Sequence, residues 1–402
     1  MKTFIARQPI FTRSEEVLGY EVLFRSGPEN FVTDRPVDIS AVGVDNFLFF
    51  GIERVTSGRL AFVNCSRDFL VKDYLTLLPQ DRVVAEILET VSPDDETVIA
   101  CRHLKDLGYR LALDDFVDSP GMAPLIEIAD YLKVDFLATP PAEQERLAKV
   151  FSSTGRQLVA EKVETHDDVQ RAKDMGYRYL QGYFFCRPEM AERREIAGTK
   201  VAYLRILQIA NQPDLDVDQL AYAIKQEPSL VYRLLRYLNS PAFPLRVNVT
   251  SIPHALALLG EQNIRKWVSL VCLAAMARNK PPELVMVPLV RARFCELLAG
   301  ITKLRTQAGD LFLMGLLSAM DAILDRPMSV ILADIQVDAK IKEALLGLAS
   351  PFRDLYEVVL DYETGSWAPL EKSAGRLHID ENLLPDLFLR SLDWANQITS
   401  IA

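Results

Sequence analysis

The sequence predicts a closed α/β barrel of the TIM-barrel type followed by an all-α domain. Three observations carry that expectation. Eight short β-rich runs alternate with helical patterns across the first half of the chain. No glycine-rich phosphate turn follows the first run, which weakens an open, doubly wound sheet as the alternative. Beyond about Glu195 the periodic segments are all helical.

In order, the strand-like runs are Phe4–Phe11, Leu18–Arg25, Leu60–Ser66, Val83–Leu88, Arg110–Phe116, Tyr131–Leu137, Gln157–Val163 and Tyr179–Phe185. Helical patterns such as Glu96–Leu107 and Ala142–Phe151 fill most of the later gaps. In the second half, Asp216 or Asp218 caps a helix running to Gln226, and Pro228 suits the first turn of the next. There Leu230, Val231, Leu234, Leu235 and Leu238 share one face before Asn239-Ser240-Pro241 stops the helix. Further helices are expected at Ile252–Leu259, Asn263–Ala277, Val287–Ile301, Leu311–Leu324 and Ala339–Gly347. A boundary near 190–200 would give domains over residues 1–192 and 197–402.

The 402 residues are 49% apolar and 25% charged, enough for sizeable cores without a metal or disulfide staple. A net charge of −10 argues against a nucleic-acid polymer bound by broad phosphate neutralisation. It leaves room for a local pocket that takes a small anion. The excess is uneven: residues 1–195 carry a net −9 and the remainder −1. Five scattered cysteines with no CxxC pair read as reduced thiols. No signal-length apolar stretch opens the chain, and Val268–Ala277 is too short to span a bilayer. A soluble, cytoplasmic protein without a membrane partner is the expectation.

Polar residues cluster at the ends of the expected strands. They are Glu21, Asn64, Glu86 with Glu89, Asp114-Asp115, Lys133 with Asp135, Glu161 with Glu164, and Gln181. Singly, such a carboxylate most often caps the next helix or pairs with an arginine. In a parallel barrel, however, the strand ends converge on one mouth. Two carboxylates ~4 Å apart at an effective dielectric of ~20 repel by roughly 4 kcal/mol. Glu21, Glu86, Asp114 and Asp115 therefore need cations to stay ionised together, and all-oxygen ligation favours Mg²⁺ or Mn²⁺. A pair of such ions is a common way to activate water against a phosphodiester.

Glu21-Val22-Leu23, followed by Phe24-Arg25, resembles the Glu-Ala-Leu motif of the EAL domain, the cyclic-di-GMP phosphodiesterase barrel. Asn64, Glu86, Asp114-Asp115, Lys133, Glu161 and Gln181 follow in that family's order over roughly residues 3–190. The resemblance implies a two-metal Mg²⁺ or Mn²⁺ site held by Glu21, Asn64, Glu86, Asp114 and Asp115. It implies that Lys133 and Glu161 position or deprotonate the attacking water, that Gln181 closes the site, and that Glu89 holds a loop. Gln8, Leu23, Arg25 and Asp135 fall to ligand binding, Arg25 as a phosphate clamp. A homodimer through the barrel also follows from it.

Two positions depart from the pattern. Val22 replaces the motif's alanine. More consequential, active members typically continue after Asp-Asp-Phe with Gly-Thr-Gly-Tyr-Ser-Ser, whereas this chain has Val117-Asp118-Ser119-Pro120-Gly121-Met122. In the family that loop couples metal binding to dimerisation. Two lost glycines and Pro120 restrict the backbone there. Weak, conditional or absent hydrolysis is expected, with ligand binding more robust than turnover.

The second half resembles the HDOD domain, a helical relative of the HD metal phosphohydrolases that lacks their ligands. The stretches Ala221–Leu230, Arg233–Ser240 and Ser251–Gly260 carry the likeness. The four histidines are His103, His166, His254 and His378, and only His166 is followed by aspartate, in the barrel half at an expected helix start. Met320-Asp321 stands where a metal-binding relative would offer His-Asp. The domain reads as a non-enzymatic module for a protein partner. Arg233, Arg236, Arg265 and Lys266 read as a solvated face or the contact for an acidic partner. His254 reads as a satisfied, partly buried histidine, and the tryptophans 267, 367 and 394 as core anchors. The rival reading is an interaction regulator whose barrel binds neither nucleotide nor metal.

Overall fold

Eight strands close into a barrel: β1 Thr3–Thr12, β2 Val17–Ser26, β3 Leu60–Cys65, β4 Val83–Ile87, β5 Arg110–Leu113, β6 Tyr131–Asp135, β7 Gln157–Glu161 and β8 Tyr179–Gln181. The computed structural model describes residues 3–26, 51–186, 198–212, 214–227, 230–231, 256 and 260–401. The strands follow chain order, with β1 sealing against β8. The barrel is not wholly parallel, which corrects one expectation. β1 runs antiparallel to both β2 and β8, while every other pair is parallel. The cause is local. A tight turn returns the chain, with Glu15 donating to the Thr12 carbonyl at 2.9 Å, and so short a connection can only join antiparallel strands. The N-terminal half of β1 therefore lies at the mouth, beside the C-terminal ends of the other strands.

The interior is layered by the two-residue period of a strand. A buried floor is formed by Ile10, Phe62, Val84, Ala112, Tyr131, Val159 and Tyr179. Tyr131 sits edge-on to Phe62, with ring centroids 5.4 Å apart. Two residues further along each chain the inward position is polar: Asn64, Glu86, Asp114, Lys133, Glu161 and Gln181. On antiparallel β1 the same step runs backwards, from Ile10 to Gln8. One apolar layer thus carries one polar layer above it.

Six strands stop earlier than the sequence suggests, β5 and β8 by the most. β5 ends at Leu113 because Asp115 adopts a left-handed φ of 39° and turns the chain outward. β8 ends at Gln181, where Gly182 takes φ 148° and a 3₁₀ turn, Tyr183–Cys186, begins. A Cβ on Gly182 would stand 2.1 Å from the Val163 carbonyl oxygen, so no other residue fits without displacement. The intervening helices include Asp95–Asp106, Pro141–Phe151 and His166–Met175. The last starts at His166 behind a capping box of Thr165 and Asp168, as expected of that histidine.

The chain divides into two compact units. The first comprises Met1–Arg187 together with Asp361–Trp367 and Asn382–Leu389. Within it, Phe4 of β1 packs against Trp367 at 5.6 Å, and the Ile5 amide donates to the Tyr362 hydroxyl at 3.4 Å. The second unit is helical. Asp216 caps Val217–Lys225 by accepting from the Gln219 amide at 2.9 Å. Its core includes Glu261–Met276 and Glu283–Gly300. The single helix expected over Leu311–Leu324 is two, Ala308–Leu317 and Met320–Leu324. At the break, the Ser318 hydroxyl donates to the Gly315 carbonyl at 2.7 Å in competition with the helical ladder. Gly315 itself touches the Arg291–Ala292 backbone, where a Cβ would lie 2.6 Å from the Ala292 nitrogen.

Of the tryptophans, Trp267 is buried, whereas Trp367 and Trp394 are only half-buried. Residues 190–197 of the expected boundary at 190–200, residues 232–240 with Arg233 and Arg236, and His254 with most of Ile252–Leu259 lie outside the described residues. None of the five cysteines is in a disulfide among the described residues. Among the described residues no helix is long and apolar enough to cross a membrane.

Candidate functional site at the barrel mouth

The polar layer converges on one ammonium. Lys133 is 0% exposed, and its Nζ lies 2.7 Å from Glu161 Oε1, 3.0 Å from Asp114 Oδ1 and 3.2 Å from Glu21 Oε2, and also bonds Glu86 Oε1. Backbone bonds that continue past the strand ends hold these groups in place. The Asp114 amide donates to the Ile87 carbonyl at 3.0 Å and the Phe116 amide to the Lys133 carbonyl at 2.7 Å. Phe116 then packs edge-on against Phe151, with centroids 5.5 Å apart.

Four carboxylates around one ammonium leave an excess of negative charge in a dry site. Burial, reinforced by the neighbouring Glu21, drives the Glu86 carboxyl well above its usual range. Burial pushes Glu161 up to about 8, against the opposing pull of Lys133. Burial also works against the charge of Lys133, but Glu161, Glu21, Glu86 and Asp114 together outweigh it and hold the ammonium protonated.

The remaining expected residues arrange around this centre. Asn64 Nδ2 donates to Glu21 Oε1 at 3.2 Å, and Gln181 Nε2 donates to Glu21 Oε2 at 2.6 Å. Gln181 also reaches the Gln8 Oε1 oxygen at 3.4 Å, bringing β1 into the set. Glu89 is exposed, but its carboxylate gathers with those of Asp114 and Asp115 within 4.8 Å, a second acidic cluster outside the inner one of Glu21, Glu86 and Glu161. Asp135 accepts from the Leu137 and Ala138 amides at 2.7 and 2.9 Å and pairs with Lys162. Leu23 is half-buried, with its Cδ1 3.2 Å from the position of a Gly365 Cβ. Arg25 pairs through its backbone with Phe4, and its side chain lies outside the described residues.

Lys162 was not among the expected site residues. It holds a left-handed φ of 53° and directs its Nζ to Asp115 Oδ1 at 3.3 Å as well as to Asp135. The available signal was a lysine set between two glutamates at a strand end, Glu161-Lys162-Val163-Glu164.

The donor set fits a hard divalent cation. Glu86 Oε2, Glu161 Oε2, Asn64 Oδ1 and Gln181 Oε1 are buried and have no hydrogen-bond partner among the described residues. Four orphaned oxygen acceptors beside two acidic clusters are chemistry that a cation satisfies and a hydrogen-bond donor network does not. The loop after Phe116 needs no left-handed glycine. Ser119 is extended, Pro120–Met122 form a 3₁₀ turn, and Asp118 is pinned by Arg146 at 2.8 Å.

In the helical unit, the two described residues of the expected solvated face are paired. Arg265 donates to Glu261 Oε1 at 2.6 Å and to the Ala210 carbonyl at 3.0 Å, and Lys266 bonds Glu296. Among the described residues both acidic clusters with metal-binding spacing lie in the barrel.

The EAL domain family matches residues 67–188 and the HDOD domain family residues 199–324. An uncharacterized protein of Bacillus subtilis, YuxH, is 30% identical over 408 residues, covering 99% of each chain. The cyclic di-GMP phosphodiesterase CdgJ of Vibrio cholerae is 30% identical over 406 residues, covering 99% of this chain and 94% of CdgJ. Among solved structures, a calcium and cyclic-di-GMP complex of Klebsiella pneumoniae BlrP1 aligns at 24% identity with a TM-score of 0.40, covering 47% of this chain and 56% of BlrP1.

Proposed function

We propose, given that this chain belongs to the family of proteins that join an EAL domain to an HDOD domain, that its barrel binds cyclic-di-GMP and cleaves one phosphodiester slowly, in a divalent-metal-dependent reaction, to linear pGpG. The helical half then passes the ligand state to a protein partner. The observation that carries this reading is the convergence of Glu21, Glu86, Asp114 and Glu161 on Lys133 at the mouth, with four buried oxygens left over for a cation.

In this reading Glu21, Asn64, Glu86, Asp114 and Asp115 hold Mg²⁺ or Mn²⁺. The bound ions would polarise the phosphodiester and acidify a water at neutral pH. Lys133 and Glu161 position that water, and Glu161 would take its proton in the ionised form that nearby bound cations favour. Gln181 fixes Glu21 and shuts one side of the site. Glu89 belongs to the outer cluster, where it tethers its loop. Gln8, Leu23, Arg25 and Asp135 line the nucleotide's path, Arg25 as the phosphate clamp. The pinned loop at 117–122 supports slow rather than fast turnover, since its Asp118–Arg146 pair ties it to the barrel's own helix instead of leaving it free to reorganise. A cytoplasmic setting follows from the same reading.

The test is calorimetry with cyclic-di-GMP in Ca²⁺, followed by product analysis in Mg²⁺ and Mn²⁺. Heat of binding with slow pGpG formation is the expected result. Heat without product would make the barrel a receptor, and neither heat nor product would overturn the proposal.

A further inference from the structure

Each acidic cluster at the mouth has its own lysine, and the two lysines differ in what they can do. Lys133 is sealed inside the inner cluster with no exposed surface. Lys162 stands at the outer cluster with its side chain 48% exposed, so its ammonium can leave for solvent. Its backbone is fixed on both sides. The Phe136 amide bonds the Glu161 carbonyl and the Val163 amide bonds the Gln181 carbonyl, each at 3.0 Å. Between those anchors the left-handed φ at Lys162 throws the side chain back across the mouth to Asp115, 47 positions earlier in the chain. Its Nζ bonds Asp135 and reaches Asp115 Oδ1 at 3.3 Å, so one ammonium bridges the two carboxylates.

We propose that Lys162 is a built-in competitor for the cation held by Asp114 and Asp115 in the outer cluster, so that a divalent ion fills this site only by displacing the ammonium from Asp115. The inference rests on the metal-binding part of the functional reading above and names a control on it. A divalent ion and an ammonium cannot share Asp115 without strong repulsion at this separation. The outer site therefore fills at higher metal concentration with Lys162 in place than without it. Displacement also releases Asp135 from its only described side-chain partner, while its two backbone amide bonds keep it in place.

The experiment is a Mn²⁺ titration of the full, EDTA-stripped chain without nucleotide, read by the electron paramagnetic resonance of free Mn²⁺. Wild type gives the reference affinities for a first and a second ion. Lys162→Met removes the charge and keeps the aliphatic stem; Lys162→Gly removes the charge and relieves the backbone. Both should tighten the second ion about tenfold and leave the first unchanged. Asp115→Asn should abolish the second ion alone, which assigns it to the outer cluster. Unchanged second-site affinity in both folded Lys162 variants, or tightening in the glycine variant only, would overturn the proposal. No Mn²⁺ on any form removes the metal site and this inference with it. Tightening without any cyclic-di-GMP heat would sink the nucleotide reading and leave the role of Lys162 standing.

Discussion

Lys133 Nζ lies 2.7 Å from Glu161 Oε1, a pair formed between adjacent strands at the centre of the polar layer. The same ammonium contacts three further carboxylates and is fully buried. Its removal strands buried negative charge, which typically costs about 3–5 kcal/mol. Lys133→Met is therefore expected to lose about that much stability in EDTA, read from the urea midpoint. A divalent ion supplies the missing charge, so Mn²⁺ should restore most of the loss. Equal destabilisation with and without Mn²⁺ would show that the cluster does not hold a cation.

Glu21 is the hub of the opposite wall, taking donors from Asn64 and Gln181 as well as from Lys133. Its loss removes a candidate ligand and frees two amide side chains. Glu21→Ala is expected to lower pGpG formation by at least about 100-fold, the scale of several kcal/mol of lost charge stabilisation. Unchanged turnover would remove Glu21 from the metal assignment.

Much of this site was legible because of one geometric rule. Asn64, Glu86, Asp114, Lys133, Glu161 and Gln181 each lie two residues beyond an apolar floor residue, so the strand period alone puts them in one layer. What escaped was set by backbone conformations that composition does not report. Lys162 takes a left-handed φ, and this decides where its side chain points. The reversal of β1 depends on a turn at Glu15 with no asparagine–glycine signal. The break at Ser318 sits in an unbroken apolar helical pattern, and only its hydroxyl's bond to Gly315 reveals it. Packing of Tyr362 and Trp367 against Phe4 is a contact across more than 350 positions, beyond any local pattern.

Gly182 locks the last strand against the one before it. Its φ of 148° and the 2.1 Å approach of a would-be Cβ to the Val163 carbonyl oxygen leave no room for alanine. Gly182→Ala has to push Val163 away, straining the chain next to Glu161 and Gln181. A loss of about 3 kcal/mol or more is expected in urea unfolding, with reduced Mn²⁺ affinity in whatever remains folded. A variant with wild-type stability and metal affinity would show that this contact is not needed.

Burial of several weak acids sets an alkaline limit on the fold. The Cys101 thiol is pushed up to about 12 by burial, and burial likewise raises Cys65, Cys272, Tyr177 and Tyr362. The fold prefers their protonated forms, while the unfolded chain ionises them near 9 for the thiols and near 10 for the phenols. Their contribution is thus complete below pH 9 and is lost as pH rises towards the folded values. The urea midpoint should stay level up to about pH 9 as far as these groups are concerned and fall steadily by pH 11. Thiol chemistry gives an independent reading, because only the thiolate reacts. At pH 8 a disulfide reagent should modify half-buried Cys186 first and reach Cys65, Cys101 and Cys272 only when urea opens the chain. Rapid reaction of all five thiols in the native protein would contradict the burial that sets these values.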